Sequence, residues 1–189
     1  MGIFDPPDIE KLRREADWPR LIHWSLYDKD PASSRAARAV LKADPYPVVE
    51  YLYETALWAQ EHSIGRRKRL PKRSVMLLSE ANRALTRVGS PAVAPLLEAV
   101  RLYDDYGDPD EHVRFLMLAL VFDILEKIGR PAAGTLRELA AAPEGDVRKL
   151  AREALEKFEA HGLLDEEEKE QDEPDEDDVT DARADRDAE

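Results

Sequence analysis

The densest run of positive charge in this chain is Arg66-Arg67-Lys68-Arg69-Leu70-Pro71-Lys72-Arg73, six cations in eight residues. Such a run draws phosphate, nucleic acid or an acidic protein segment, and an equally basic loop can simply stand in water. Arg66, Arg67, Lys68, Arg69, Lys72 and Arg73 form the candidate anion-binding set. Catalytic patterns are missing elsewhere: His23, His62, His112 and His161 are scattered, and no H-E-x-x-H, P-loop, G-x-S-x-G or dinucleotide fingerprint occurs. Asp104, Asp105, Asp108, Asp110 and Glu111 crowd around Gly107 without the spacing of an EF-hand loop, so they read as a capped, solvated turn. The chain has no cysteine, which removes disulfides, thiolate nucleophiles and Cys-based zinc sites. The expectation is a protein without enzymatic activity, cofactor or metal ligand.

Two apolar patterns point instead to binding. Tyr51, Thr55 and Trp58 form a stripe additional to the apolar face of their helix, and Phe115, Leu118, Ala119 and Phe122 recur at i, i+3, i+4 and i+7 beside Arg114. Aromatic side chains anchor interfaces because they bury much area at low entropic cost. An all-round apolar helix is also what a helix surrounded by neighbours looks like. Tyr51, Trp58, Arg114, Phe115, Leu118 and Phe122 are the candidate partner-binding residues, with groove and core left as the two readings of the Phe115 stripe.

The elements that must position them are helices. Leu85-Thr-Arg-Val88-Gly89-Ser90-Pro91-Ala92 returns 40 residues later as Leu125-Glu-Lys-Ile128-Gly129-Arg130-Pro131-Ala132. Glycine ends one helix in a left-handed conformation and proline suits the first position of the next, with Ser90 placed as an N-cap. Apolar periodicity predicts a short capping helix over 8–15 and helical pairs over about 17–43, 45–88, 90–129 and 130–161. The second helices of the last two pairs match at an offset of 34, Val113, Leu116, Met117, Leu120 and Val121 against Val147, Leu150, Ala151, Ala154 and Leu155, each valine being followed by arginine, Arg114 and Arg148. A helical pair cannot bury its apolar face alone, so the pairs must stack.

The net charge of −13 is unevenly spread. Residues 165–189 hold 15 acidic and 3 basic side chains, leaving 26 acids against 25 bases in residues 1–164. The expected organisation is a repeat domain over 1–164 and an acidic tail over 165–189 too polar to offset its ordering entropy, hence disordered. Tethering raises the prospect that this tail contacts the basic loop in cis. The N-terminal stretch has acids where a signal peptide needs a basic start, and no segment approaches the roughly 20 apolar residues of a membrane span. A cytoplasmic chain with no membrane contact is expected.

These residues resemble the HEAT-repeat family, EGDVRKLAREALEKF is similar to its short variant named after phycobilin lyases, and the opening MGIFDPPDIEKL is similar in tone to small bacterial and archaeal members. The resemblance implies an all-α fold, a right-handed α-α superhelix or short α-solenoid of about four pairs whose second helices line the concave surface. It also implies that Arg114 and Arg148 bond to the turn of an adjacent unit. Ser33 and Ser34 depart from the pattern where valine and arginine are usual, so the first unit is expected to pack less regularly. Repeat folds specify function weakly. The function expected is protein or peptide binding on the concave surface, as a scaffold or adaptor. The alternatives are a nucleic-acid-binding protein using the basic loop, a bilin-lyase-like chaperone holding a tetrapyrrole, and a relative of the HEAT-like DNA glycosylases. The near-neutral body argues against the nucleic-acid readings. An exposed apolar stripe would serve a homodimer equally well.

Overall fold

The computed structural model describes residues 6–63, 69–105, 111–141 and 145–162. Among them are nine α-helices and no strand. They are α1 (Ile9–Arg14), α2 (Trp18–Leu26), α3 (Pro31–Ala43), α4 (Tyr46–Glu61), α5 (Lys72–Val88), α6 (Val93–Asp105), α7 (Glu111–Ile128), α8 (Ala133–Ala140) and α9 (Asp146–Ala160). The acidic segment 165–189 lies outside the described residues.

Helices α1 to α3 start in the same way. Asp8, Asp17 and Asp30 accept hydrogen bonds from the backbone N–H groups of Lys11, Arg20 and Ser33 at 2.9, 3.2 and 3.2 Å. Each carboxylate satisfies a donor that lacks an intrahelical partner and sits at the positive end of the helix dipole. Pro19 and Pro31 stand in the first turn, where the missing N–H costs nothing.

The repeated octapeptide folds into repeated geometry. Gly89 (φ 75°, ψ −138°) and Gly129 (φ 79°, ψ −140°) each end a helix, donating to the carbonyls of Leu85 and Leu125 at 3.2 Å. A Cβ at either glycine would meet nothing within 4 Å, so the demand for glycine is conformational and not steric packing. Each proline then lies in a single 3-10 turn, Ser90–Ala92 or Arg130–Ala132, before the next α-helix opens. Ser90 makes no side-chain cap bond; the carbonyl of Gly89 takes the N–H of Ala92 at 2.9 Å instead. The glycine backbone does the work expected of the serine.

Helices pair as α2 with α3, α4 with α5, α6 with α7 and α8 with α9. Successive second helices also meet, α3 on α5, α5 on α7 and α7 on α9, as do α2 with α4 and α4 with α6. One core runs through the stack from Ile9 to Phe158, with Leu21, Leu41, Leu52, Leu85, Leu96, Met117, Leu125 and Leu136 fully buried. Burying a side chain of this size contributes about 1.5–3 kcal/mol, which is why pairs of amphipathic helices stack and do not stand alone.

Polar side chains lock the second helices to one another. Asn82 of α5 donates to Asp123 of α7 at 2.6 Å, Lys127 reaches the same carboxylate at 2.6 Å, and Lys157 of α9 reaches Glu126 at 2.6 Å. Partial burial pushes the Asp123 carboxyl up, but the hydrogen bonds from Lys127 and Asn82 outweigh it and hold the group below the usual carboxylate range. The position of Arg114, counted back by 40 and again by 40, falls on Ser74 and Ser34. Both serines are buried, and Ser34 donates to the carbonyl of Ser25 at 3.1 Å while Arg38 donates back to its hydroxyl at 2.9 Å. The first pair therefore closes around small residues, Ser25, Ser33, Ser34 and Ala37, all buried.

A candidate peptide groove between α4 and α5

Residues 51, 54, 55 and 58 follow the i, i+3, i+4, i+7 spacing, so Tyr51, Glu54, Thr55 and Trp58 share one face of α4. On the facing helix, Arg73 and Leu77 are four apart. Together these six residues line a groove of about 470 Å³, within the size range of ligand and peptide sites. Thr55 is buried at its floor, Tyr51 and Leu77 are half-buried on its walls, and Glu54 and Arg73 stand exposed at its edges.

Trp58 is 44% exposed, an unusual cost for so large an apolar ring. It is nonetheless held in place. The His62 ring stacks on it at 4.2 Å and 19°, and His62 Nδ1 donates to the Trp58 carbonyl at 2.8 Å. An indole fixed before a ligand arrives loses less entropy on binding than a free one. Burial raises the Tyr51 phenol above its ordinary pKa; its hydrogen bond with Thr55 opposes that shift, Glu80 adds to it and Arg73 opposes it. Glu80 thus belongs to the surroundings of the groove, where it also faces His23 of α2 at 3.7 Å. Around His23, Trp24 and Tyr27 pack edge to face at 4.9 Å.

The residues singled out by spacing divide sharply. Tyr51, Trp58 and Arg73 come together in this groove. Arg69 and Lys72 are exposed beside it in sequence, and Arg66, Arg67 and Lys68 lie outside the described residues. The stripe on α7 does not form a groove: Leu118 is 0% and Phe122 4% exposed, both in the core, because α4, α5, α6 and α9 all pack on α7. Phe115 alone of that stripe is open, at 59%, and Arg114 is half-buried. Met76 of α5 is exposed, as is Val75, which lies 40 residues before Phe115 at the same repeat position.

Glu54, Leu77 and Glu80 were missed by sequence reasoning. Glu54 was recoverable as i+3 from Tyr51, whereas Leu77 and Glu80 carry no signal until α5 is known to face α4. The groove offers aromatic faces, a floor at Thr55 and, at its edges, the carboxylate of Glu54 and the guanidinium of Arg73, an arrangement that suits holding a chain segment. Among the described residues there is no group of three or more side chains placed to hold a metal ion, and no helix long and apolar enough to cross a membrane. Comparison with protein-family models, with curated proteins and with solved structures returns no match for this chain.

Proposed function

We propose that this chain is a non-enzymatic binding module that holds a peptide segment of another protein in the α4/α5 groove, on a scaffold of four helical pairs arranged as a short right-handed solenoid of HEAT-like repeats. The solenoid reading is supported by the 40-residue recurrence of the Gly-x-Pro turn and by contact of each second helix with the next. The observation that carries the binding reading is Trp58, an exposed indole stacked on His62 at the mouth of a groove floored by Thr55 and walled by Tyr51 and Leu77. Exposed aromatic anchors of this kind carry most of the energy of an interface.

The experiment is selection of displayed peptides on the full chain, followed by affinity measurement on wild type and Trp58→Ala. The expected result is a family of peptides that lose about 30-fold or more in Kd, the effect of removing a hot spot worth about 2 kcal/mol. Peptides that bind the variant as well as wild type would show that the groove is not the binding surface.

A further inference from the structure

We infer that the outer face of α5, from Lys72 to Arg83, is a second docking surface, and that its partner is an amphipathic helix carrying acidic side chains around an apolar seam. This surface is separate from the groove and uses another side of the same helix. Arg73 and Leu77 turn toward α4 and line the groove. Lys72, Val75, Met76, Ser79 and Arg83 follow the i, i+3, i+4, i+7, i+11 spacing, so they share a different face. All five are exposed, Val75 at 50% and Met76 at 54%.

Adjacent large apolar side chains held in water mark an interaction surface when polar residues rim them. Here the rim is cationic. Lys72 stands one turn before the pair and Arg83 two turns after it. At 1.5 Å per residue the stripe is roughly 16 Å long, the length of about three turns of a helix laid along it.

The charge around the stripe has one sign. Helix α3, which packs on α5, carries Arg35, Arg38 and Lys42 and no acid. Helix α5 carries Lys72, Arg73, Arg83 and Arg87, with Glu80 as its one acid. Part of this charge is engaged inside the fold: Arg87 pairs with Asp28 at 3.3 Å, Arg38 donates to Ser34, and Glu80 faces His23. Arg35, Lys42, Lys72 and Arg83 are exposed. Helix α4 is the reverse, with Glu50, Glu54 and Glu61 and neither lysine nor arginine. An acidic ligand is therefore drawn to the α3/α5 side and repelled by α4. Screening over about 8–10 Å at physiological salt keeps that choice local, although the chain as a whole carries −13.

Val75 and Met76 decide between an acidic protein and nucleic acid. A phosphate backbone is held by its charge alone and gains nothing from two aliphatic side chains. The apolar seam of a helix buries both, and a methionine thioether adapts its shape to what meets it.

The sequence supplies its own reporter. The chain has three methionines, Met1, Met76 and Met117, and Met117 is fully buried. In full-length protein labelled at the methionine methyl groups, Met76 reports the surface, Met117 serves as the control, and Met76→Leu assigns the signal. The probe is a synthetic helix of about 16 residues with leucine at i, i+3, i+4 and i+7 and glutamate between. It should shift the Met76 methyl resonance and leave that of Met117 in place. Affinity should fall about tenfold in Lys72→Glu/Arg83→Glu and again as salt rises from about 50 to 500 mM. Both positions are exposed, and an acid in the first turn of a helix is favourable, so this variant should melt as wild type does. Trp58→Ala should leave binding of the probe unchanged.

A Met76 resonance unmoved by about 1 mM probe, or an affinity indifferent to the double charge reversal, would overturn the inference. So would equal binding of the same probe with lysine in place of glutamate. Binding lost in Trp58→Ala with Met76 silent would seat the probe in the groove, sinking this surface and keeping the other. A Met76 shift on concentrating the chain alone would give the face to a second copy. Displacement of the probe by a ten-nucleotide thymidine oligomer would give it to nucleic acid; either result rejects the acidic helix as its occupant.

Discussion

Helices α4 and α7 carry the same kind of sequence, an apolar stripe beyond the one that faces the partner of the pair, and the fold uses them in opposite ways. On α7 the extra stripe disappears into the core at Leu118 and Phe122, because neighbours close on that helix from α4, α5, α6 and α9. On α4 the stripe comes to the surface at Trp58 and forms a groove with α5. Periodicity counts apolar faces; it does not count neighbours. The difference is one of position in the stack, and it separates residues that hold the fold from residues free to bind.

The comparison is broken most directly by truncating one member of each stripe. Phe122→Ala should cost about 3–5 kcal/mol, since it removes a fully packed ring and leaves a cavity the surrounding helices cannot fill. At about 2–4 °C per kcal/mol for a chain of this length, thermal unfolding followed by circular dichroism should drop by roughly 10 °C. A drop of only a few degrees would place Phe122 on an open surface and restore the α7 groove. Trp58→Ala should leave the melting temperature within a few degrees of wild type while removing about 2 kcal/mol of peptide affinity. If instead it melts the protein as Phe122→Ala does, both stripes are core and the distinction collapses.

How much of this was legible beforehand follows from the same two helices. The glycine-proline recurrence and the apolar spacing marked the chain as helical throughout its described residues, because a helix end and a buried face are local demands that a few residues satisfy. Ser90 was misread because a glycine backbone can satisfy the same donor, which no side-chain pattern reveals. Tyr51 and Trp58 were legible as aromatics in excess of a core face, and Arg73 as part of a basic run. Their meeting in one groove was not, since it depends on which face of α5 packs against α4. The burial of Leu118 and Phe122 depends likewise on four other helices.

A pH experiment sharpens the contrast from the side of α7. Asp123 is bonded to Asn82 and Lys127, and its carboxyl is held below its ordinary value. A carboxyl depressed in the folded state contributes stability that is fully present above its unfolded value, near 3.9, and is lost as pH falls through the folded value. The group is nearly half exposed, so screening reduces the contribution to below about 1 kcal/mol. Asp123→Asn should therefore melt slightly below wild type at pH 6, and the gap should close below about pH 4. A gap that persists unchanged into acid would mean that the ionised form of Asp123 contributes nothing to the junction between α5 and α7.

The smallest expected effect tests where the division between binding and folding residues runs. Phe115 stands on α7, one turn before buried Leu118, yet it is 59% exposed, and Val75 at the same repeat position of α5 is exposed too. If neighbours and not helix identity decide, Phe115→Ser behaves as a surface change, within about 0.5 kcal/mol of wild type, and the double variant Val75→Ser/Phe115→Ser remains additive because neither side chain supports the other. Melting temperatures of the single and double variants in full-length protein measure this. A loss of several degrees for Phe115→Ser alone would show that another surface covers the ring in solution, and α7 would then join α4 as a helix with one face in the core and one turned to a partner.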